Sequence, residues 1–569
     1  MKFEDLSTEI LLEVFQWLDY LDLFHAFSGL NARFNDLILI HYPTYHLDLC
    51  RLVKPKELHL ICQEHLPRIV RQVISLKLSN ADQTPHSLEF FLSYDLSFDQ
   101  FYCLQSLSLD SIHSLSLLNE IFAQCQDLPY LTHVALRRCH FQERDHFAQL
   151  IVHLWTLSKL SHCRIEHRLP YELNFSNDTT ISSSLEYLFL ENFQFNSQEL
   201  ANLFYCTPSL RSFHGTIESH SDCLHWRLSY PSSIAAIQLS FRKSSYALTS
   251  NLLSKLPNLT RLTLKSREIF LNGYDWKKLI QNTCPKLKIF RLKMNFQFSR
   301  SIHAEEQLET LINSFQSSFW IEEHQWFVHC HWICTSLNNF GTLYTLPYAF
   351  NEFLLTNQTW LKSTGSIDNE YDHVRTLTMI NLRTNLADES RELPYDFRNI
   401  EHLQIHLPLK DSFWSLIHSF HRLKSLDVIL VKGISFRPLQ LLLDRSPYLT
   451  SFCLGNYDRL EIISQLTSTS IDRLDFLTKN RYKRYVDRQQ CNALIRSSLG
   501  RQCRHLLISI EHRTNILHLL ENMSNLRSLT CQCQDDDPTI VLWLRQRLPP
   551  TYSVCRERLQ PSTIRLWID

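Results

Sequence analysis

The chain of 569 residues contains only 8 glycines, about 1.4%, whereas about 7% is usual in globular proteins. The patterns GxGxxG, GxxxxGK[ST] and GxSxG do not occur in it. Phosphate-binding loops and hydrolase elbows need glycine, because their backbones adopt positive φ angles or approach a ligand closely. The sequence therefore excludes the nucleotide-binding and hydrolase classes that use these motifs, and we expect no cofactor.

The chain also lacks an excess charge of either sign and a long apolar run. Its 57 basic and 58 acidic residues leave a net charge of −1, which favours neither nucleic acid nor an anionic membrane as a partner. No apolar run approaches the roughly 20 residues of a membrane span. The opening residues MKFEDLSTE lack the apolar core of a secretory signal. We therefore expect a soluble cytoplasmic protein, with the nucleus left open as a second location.

The sequence gives little support for a zinc site or a catalytic nucleophile. The 17 cysteines include no C-x2-C pair, as a zinc ribbon or RING domain requires, and HExxH is absent. The densest group of candidate ligands is His324, His329, Cys330, His331 and Cys334. Alternate residues of a strand face the same side, so we interpret this segment as an aromatic strand with half-buried histidines. A zinc site is the alternative, but we expect neither a metal nor a catalytic residue.

Two charged segments also have a structural interpretation. Lys479–Tyr485 interleaves basic and aromatic residues, as nucleic-acid binders do. Because the charge of the whole chain is balanced, we interpret it as an exposed insertion loop. Asp535–Asp537 precedes Pro538, and we interpret it as a solvated loop and not as a metal site.

One pattern recurs along the chain: apolar-x-x-apolar-x-apolar, first seen at residues 73–78. Eight steps span 214 residues to Leu287, about 27 each; after an interruption, six steps span 152 residues from Val374 to Leu526, about 25 each. Both spacings lie within the range of about 20–29 residues of leucine-rich repeats. The pattern predicts an α/β fold: a curved solenoid with parallel strands on the concave face and helices on the convex face.

Prolines and helical stretches support the repeats. Five prolines stand two residues before the first apolar strand position of their repeat, where each ends the preceding helix: Pro129, Pro208, Pro257, Pro285 and Pro447. Helices are predicted between strands over Leu117–Gln124, Gln198–Tyr205, Trp276–Asn282, Phe413–Phe420 and Leu439–Asp444. Residues 295–373 interrupt the array, and strands are predicted there over Trp326–Trp332 and Leu343–Tyr348.

Residues 3–40 follow a different, helical pattern. Ser7 or Thr8 is expected to cap a first helix whose apolar residues recur on one face. A second helix is predicted from about Asp22 to Phe27, and a third from Asn31 to Ile40. Three short helices cannot bury a core alone, so their apolar faces imply a partner or close packing on the solenoid.

This segment resembles the F-box, whose usual pattern is L-P-x-E-[IL]-[LI]-x-x-[IV]-[FL]-x-x-L-x-x-x-D-L. Residues 6–23 read L-S-T-E-I-L-L-E-V-F-Q-W-L-D-Y-L-D-L. Ser7 stands in place of the common proline, and Phe27–Asn31 departs from the usual V-C-[KR]-x-[WF] turn, although Arg33 and Phe34 preserve a familiar close. An F-box followed by leucine-rich repeats is the layout of one class of F-box proteins.

The resemblance implies that the chain docks an SKP-family adaptor and, through it, joins a cullin–RING ubiquitin ligase of the SCF type. The residues that it implies for adaptor binding are Leu6, Ser7, Glu9, Ile10, Leu11, Val14, Phe15, Leu18 and Leu23. The alternative is that these residues only cap the N-terminal end of the solenoid. The chain would be a non-catalytic subunit, because any ubiquitin transfer would be carried out by associated ligase components.

Basic residues occupy outward positions of the predicted strands. The set is His133, Arg137, Arg164, Arg261, Lys265, Arg291 and Lys293. Glu166 and Glu191 are the acidic exceptions. We predict that this concave stripe receives an acidic or phosphorylated segment of an unknown protein substrate, because guanidinium and ammonium groups pair with carboxylate and phosphate. The alternative is an ordinary solvated face of mixed charge.

These observations predict four regions. They are an F-box-like helical domain at 1–45, a first part of the solenoid at 46–294, an insertion or irregular repeats at 295–373, and a second part of the solenoid at 374–569. The predicted function is that of a substrate-recognition adaptor. It would hold a protein substrate near the ligase and contribute no chemistry of its own. A ligase-independent leucine-rich-repeat scaffold or inhibitor is the alternative. Nucleic acid and membranes are not expected as partners.

Overall fold

The computed structural model shows a mixed α/β protein with large parallel sheets. It describes residues 3–42, 44–52, 54–94, 96–141, 144–172, 180–218, 233–243, 246–267, 271–298, 304–334, 339–356, 359–365, 371–380, 395–409, 414–430, 437–455, 460–477, 485–535, 537–550, 552–557 and 562–568. Across these ranges, every helix is too short or too polar to cross a membrane.

The chain forms two compact units. The first comprises Met1–Ile237, Leu548–Leu559 and Leu566–Asp569, and the second comprises Gln238–Arg547 and Gln560–Arg565. The division into four regions that the sequence indicates stays a prediction.

The first unit is built on parallel strands that pair in chain order. They are β1 (Tyr45–Asp48), β2 (Val73–Ser79), β3 (Ser106–Asp110), β4 (His133–Cys139), β5 (His162–Glu172), β6 (Tyr187–Phe195) and β7 (Ser212–Glu218). The apolar positions of the repeat pattern lie opposite one another: Leu76 pairs with Leu107, and Leu107 pairs with Val134. All three side chains are buried, so successive repeats stack their leucines into one core.

Helices connect these strands and precede the first of them. They are α1 (Thr8–Phe15), α2 (Tyr20–Phe27), α3 (Ala32–Asp36), α4 (Pro55–Leu60), α5 (Leu66–Ile69), α6 (Ser87–Leu92), α7 (Leu115–Gln124), α8 (Arg144–Trp155) and α9 (Ser197–Cys206). Short 3-10 or π turns cover Phe3–Asp5, Leu37–His41, Leu49–Arg51, Ile61–His65, Val70–Gln72 and Phe98–Gln100. The start of α9 is a capping box, in which Asn196 and Glu199 exchange side-chain and backbone hydrogen bonds.

The second unit begins with the same alternation and then changes direction. Its first strands are β8 (Ala236–Lys243), which starts at the boundary, β9 (Arg261–Ser266) and β10 (Ile289–Phe298), with helices α10 (Tyr246–Ser254), α11 (Gly273–Thr283) and α12 (Ala304–Asn313). They are followed by β11 (Val328–Cys334), β12 (Asn339–Thr345), β13 (Glu352–Thr356) and β14 (Thr359–Ser363), with a π turn over Phe319–Glu323. Strand β12 is antiparallel to both β10 and β11, and β14 is antiparallel to β11.

A second parallel sheet follows, in the order β13-β15-β16-β17-β18-β19-β20-β21. Its further strands are β15 (Thr376–Ile380), β16 (His402–Leu407), β17 (Ser425–Leu430), β18 (Ser451–Gly455), β19 (Arg473–Asp475), β20 (His505–Ile510) and β21 (Ser528–Cys533). Its helices are α13 (Arg437–Asp444), α14 (Arg488–Arg496), α15 (Ser498–Gln502), α16 (Thr514–Asn522) and α17 (Ile540–Arg545), with a 3-10 turn over Leu460–Gln465. The last strands are β22 (Ser553–Arg556), within the first unit, and β23 (Thr563–Trp567).

The predicted α/β class with parallel strands is confirmed. Strands lie on the recurring apolar pattern. The five prolines of the repeat pattern, among them Pro129 and Pro257, lie in turns between a helix and the next strand. The curvature of a solenoid and the F-box identity of the N-terminal helices stay predictions.

Two local predictions are wrong in part. The strand predicted over Leu343–Tyr348 ends at Thr345, because Pro347 has no amide hydrogen to continue the ladder. Of the helix predicted over Phe413–Phe420, Phe413 lies outside the described residues and Trp414 is helical, but residues 415–420 are not helical, and the Phe397 amide donates to the carbonyl of Leu416 there (N···O 2.9 Å). This hydrogen bond joins the segment to a neighbouring loop by a parallel bridge between Phe397 and Ile417.

Candidate functional site

The three N-terminal helices enclose a small aromatic core. The ring of Phe15 lies 4.9 Å from that of Phe27, which lies 5.4 Å from Phe34 and 5.7 Å from Phe3, centroid to centroid. Tilted and offset rings at such distances attract one another beyond the burial of their area. The segment therefore has a core of its own, although a small one.

Polar side chains position these helices. The Asp19 carboxylate accepts from the Asp22 amide at the start of α2 (2.9 Å), and the Asn31 side chain accepts from the Phe34 amide at the start of α3 (3.0 Å). Ser7 precedes α1 as expected, but its hydroxyl does not accept a capping bond. The backbone amide of Glu9 and the Ser7 hydroxyl instead bond to the Glu9 carboxylate and lower its pKa.

The segment is also fixed to the first strand of the sheet. The ring of Tyr20 meets that of Tyr45 edge-on at 5.2 Å, and Phe24 meets His65 at 4.7 Å. Arg51 forms ion pairs with the carboxylates of Asp19 and Asp22. The contacts of Tyr20 and Phe24 are those that an end cap of the sheet requires, so the capping alternative keeps a structural basis.

The residues implied for adaptor binding divide into two groups. Leu11, Phe15 and Leu23 are each 0% exposed, so they support the helices from inside and cannot touch a partner. Leu6, Val14 and Leu18 are half-buried, and Ser7 and Glu9 are exposed. Ile10 is 47% exposed and is the most accessible apolar residue of the set.

The structure adds one residue that sequence reasoning missed. Trp17, two residues beyond the end of α1 at Phe15, is 90% exposed. Its spacing from Ile10 and Val14 is i, i+4, i+7, which places the three on a second face of the helix. This spacing was a visible signal, but the F-box pattern leaves the position of Trp17 unspecified. We call Ile10, Val14 and Trp17 the outer face of α1.

On the first unit, planar side chains stack across the outward positions of the strands. In one row, His133, His162 and Tyr187 lie in register on β4, β5 and β6, and both successive ring pairs are 4.2 Å apart. In the next row, the Arg164 guanidinium lies 4.0 Å above the Phe189 ring, which lies 4.0 Å from the ring of His214. We call these two rows the ring ladders.

Carboxylates compensate part of the positive charge beside the ring ladders. Arg164 forms an ion pair with Glu166, and the Arg138 guanidinium forms one with Asp110. Asp110 on β3 also lies in register with the exposed Arg137 on β4. Partial burial and the neighbouring His133 lower the pKa of His162, so its ring is neutral at pH 7. The predicted basic stripe is therefore a mixed, ring-rich surface on this unit.

On the second unit, three of the four basic residues of the predicted stripe are paired with acceptors of the chain itself. The Lys293 ammonium donates to the Tyr348 hydroxyl (2.5 Å) and to the Glu352 carbonyl (3.3 Å), and burial lowers its pKa to about 8. Arg291 donates to the carbonyl of Leu346 (2.8 Å), and Lys265 lies 3.9 Å from the Glu352 carboxylate.

Arg261, by contrast, is exposed on β9. Pairing of β12 with β10 brings residues 346–352 over these cations, so of the four basic residues predicted on this unit Arg261 is the most accessible.

Of the three histidines considered as zinc ligands, His329 and His331 are core residues, whereas His324 is half-buried. His329 and His331 face the same side of β11, since both contact the ring of Tyr344, at 5.8 and 5.6 Å. Burial lowers their pKa values to about 4 and about 3. Among the residues that the structure describes, no three His, Cys, Asp or Glu side chains are placed to hold a metal ion.

The two charged segments are accounted for only in part. Lys479–Arg484 lies outside the described residues. The carboxylate of Asp537 accepts from the Arg513 guanidinium (2.8 Å), and that of Asp535 accepts from the Arg513 amide (3.4 Å). These two carboxylates are therefore ion-paired and hydrogen-bonded within the chain.

Comparisons with known proteins identify no family. No protein-family model matches the chain, and no curated protein matches it. Among solved structures, it is similar to the complex of Rad7 and Elc1 in yeast, with 13% identity and a TM-score of 0.30, over 84% of this chain and 87% of that one. It is also similar to an internalin, InlF, of Listeria monocytogenes, with 12% identity and a TM-score of 0.20, over 71% of this chain and 98% of that one. Likenesses at such low TM-scores carry no argument about function.

Proposed function

We propose that the chain is the substrate-recognition adaptor of an SCF-type cullin–RING ubiquitin ligase. Its N-terminal helices would dock an SKP-family adaptor, and its repeats would bind a protein substrate. The observation that carries the proposal is the outer face of α1, which exposes Ile10 and Trp17 on a folded segment that resembles the F-box.

An exposed tryptophan beside an exposed isoleucine is the kind of surface that anchors a protein partner. Tryptophan is enriched among the residues that dominate binding energy, because its large ring fills a desolvated pocket. Burying an exposed Ile or Trp side chain stabilises a complex by about 1.5–3 kcal/mol. The buried Leu11, Phe15 and Leu23 hold the helix so that this face is preorganised.

The substrate would lie along the ring ladders of the first unit. Arg137 and Arg164 supply cations for an acidic or phosphorylated segment, and the faces of Tyr187 and Phe189 supply flat apolar area beside them. Arg261 offers a cation of the same kind on the second unit. In this role the chain raises the local concentration of substrate near the ligase and remains a non-catalytic subunit.

Binding of a purified SKP-family adaptor to the full-length chain tests the proposal. Ile10→Asp/Trp17→Asp is expected to weaken binding more than a hundredfold, since two apolar contacts are lost and two charges are desolvated. The matched control is Leu441→Asp, because Leu441 is also an exposed apolar residue of a helix, 63% exposed on α13. Equal binding by the double variant and the control would contradict the proposal, as would folded wild type that binds no adaptor.

A ligase-independent binding scaffold is the second candidate. The contacts of Tyr20 with Tyr45 and of Phe24 with His65 favour it, because an end cap needs no adaptor. Both candidates use the ring ladders, so a panel of acidic peptides, each with and without phosphate, tests that surface in either case. Arg137→Ala/Arg164→Ala should weaken the peptides that bind wild type at least tenfold, and unchanged affinities would remove the ring ladders from both candidates.

A further inference from the structure

A cysteine, a histidine and a glutamate meet in the first unit, apart from the surfaces described above. Cys555 lies on β22, and its side chain is partly exposed. Its thiol is hydrogen-bonded to the imidazole of His86, which directly precedes α6. The same imidazole pairs with the carboxylate of Glu89, with Nδ1 3.6 Å from Oε2.

The surrounding structure holds this group in place. The side-chain amide of Asn80 donates to Oε2 of Glu89 (2.6 Å), and its oxygen accepts from the Leu88 amide (2.9 Å). His86 adopts a left-handed backbone with φ of 63°, which is uncommon outside glycine, and its carbonyl accepts from the Phe90 amide (2.9 Å). The turn before α6 therefore directs the imidazole toward both the thiol and the carboxylate.

A thiol in contact with an imidazole that a carboxylate orients is the arrangement that activates a cysteine nucleophile. Burial alone would lower the pKa of His86, but its hydrogen bonds to Cys555 and Glu89 raise that pKa to about 10. The imidazole therefore holds a proton readily. Two charged residues follow Cys555 directly: Arg556, the last residue of β22, and Glu557, which forms an ion pair with Arg168 (3.7 Å).

We infer that Cys555 is a nucleophilic thiol that forms mixed disulfides with small disulfide compounds, with the protonated imidazole of His86 as the cation beside its thiolate and Glu89 as a positioning residue. The thiol releases its proton to the solvent, and the thiolate sulfur attacks one sulfur of R–S–S–R. A bond forms between Cys555 and that sulfur, the R–S–S–R bond breaks, and its electron pair leaves on RS⁻, which takes up the proton as RSH. Cys555 is oxidised and the small disulfide is reduced, so the step needs no further reagent. This inference does not depend on the proposed ligase role.

The experiment treats the full-length protein with a chromogenic aromatic disulfide at pH 6.5 and maps the modified cysteines by peptide mass spectrometry. Cys103, which is also partly exposed, is the internal comparison. We expect Cys555 to react at least about tenfold faster than Cys103, because a free thiol is only about 1% ionised at this pH.

Two variants separate activation from simple exposure. His86→Asn removes the imidazolium but keeps a residue that tolerates the left-handed backbone, and it should slow Cys555 about tenfold without changing Cys103. Glu89→Gln keeps an oxygen for Asn80 and should slow Cys555 less.

Equal rates at Cys555 and Cys103, or an unchanged Cys555 rate in His86→Asn, would overturn the inference. If that variant unfolds, its buried thiols react as well, and the ratio of the Cys555 and Cys103 rates in the wild-type protein decides.

Discussion

Acidification from pH 7 to pH 5 should destabilise the second unit through two buried histidines. His329 and His331 are 0% and 7% exposed on β11, and burial lowers their pKa values to about 4 and about 3. Nδ1 of His329 is hydrogen-bonded to the Tyr371 hydroxyl (2.9 Å), whereas Nδ1 of His331 finds no hydrogen-bond partner within the described part of the chain. Aromatic rings surround both, so neither gains a compensating anion when it is protonated.

The sign and size of the effect follow from these pKa values. Both folded-state values lie below the value of about 6.5 in the unfolded chain, so the unfolded state binds more protons at acidic pH. The stability is complete above about pH 6.5 and is lost as the pH falls toward the folded pKa values. Between pH 7 and pH 5 the loss is about 2 kcal/mol for each histidine, or about 4 kcal/mol for both.

Lys293 does not add to this pH dependence, although it faces the same cluster. Its pKa, lowered to about 8, leaves the ammonium protonated at both pH 7 and pH 5. Its constant positive charge instead contributes, after burial, to the low pKa of His331. Lys293 therefore does not contribute to the change between pH 7 and pH 5.

Urea unfolding followed by tryptophan fluorescence at pH 7, 6 and 5 measures the effect. His331→Leu should lower the loss of unfolding free energy from about 4 to about 2 kcal/mol, because one buried titrating group is gone. At pH 7 the variant should lie within about 1.5 kcal/mol of wild type, since the replacement is close in volume. His402→Leu on β16 is the control, because His402 is exposed in the same unit and should leave the pH dependence unchanged. The reasoning is refuted if His331→Leu loses as much stability as wild type between pH 7 and pH 5.

Three further predictions test the packing, two of them with a control variant. Phe15→Ala should destabilise the N-terminal helices by about 3–5 kcal/mol, measured by hydrogen exchange of α1 and α2, whereas Trp17→Ala should change stability by less than about 0.5 kcal/mol. Gly273→Ala should lower the thermal unfolding temperature markedly, because a Cβ there would overlap the backbone carbonyl of Ser314. In Gly455→Ala the Cβ would meet an Ile429 side-chain atom at 3.3 Å and the Val428 carbonyl at 3.7 Å, and this variant should change the temperature little. Asn196→Ala removes the capping box of α9 and should cost about 1 kcal/mol in chemical unfolding; no change would show that the cap is not used.

The repeating strands were predictable because their signal is local. Each strand carries its own alternation of buried and outward residues, and a proline two positions earlier marks the end of the preceding helix. The helix predicted over 413–420 shows where this reasoning ends, because residues 415–420 are not helical. The backbone of Leu416 and His418 is hydrogen-bonded to Phe397, a partner that periodicity within the segment cannot reveal.

The candidate surfaces were less predictable, because their residues are defined by neighbours. The sequence places Arg291 and Lys293 at outward positions, but antiparallel pairing of β12 with β10 brings Leu346 and Tyr348 onto their charged groups. Likewise, the F-box pattern selects Leu11 and Phe15 for binding, whereas packing of α1 on Phe27 turns them inward.

By itself the sequence determined the α/β class, the spacing of the strands and the separate helical segment at the N-terminus. These properties depend on periodicity and on residue types such as proline, which act over a few positions. Only the tertiary structure decided which basic side chains are paired with acceptors of the chain itself and which rings stack in the ring ladders. It also decided that Trp17 lies exposed. It also brought Cys555 to His86 from the far end of the chain. Such contacts depend on register and chain direction between distant segments, and the sequence of either segment alone does not contain them.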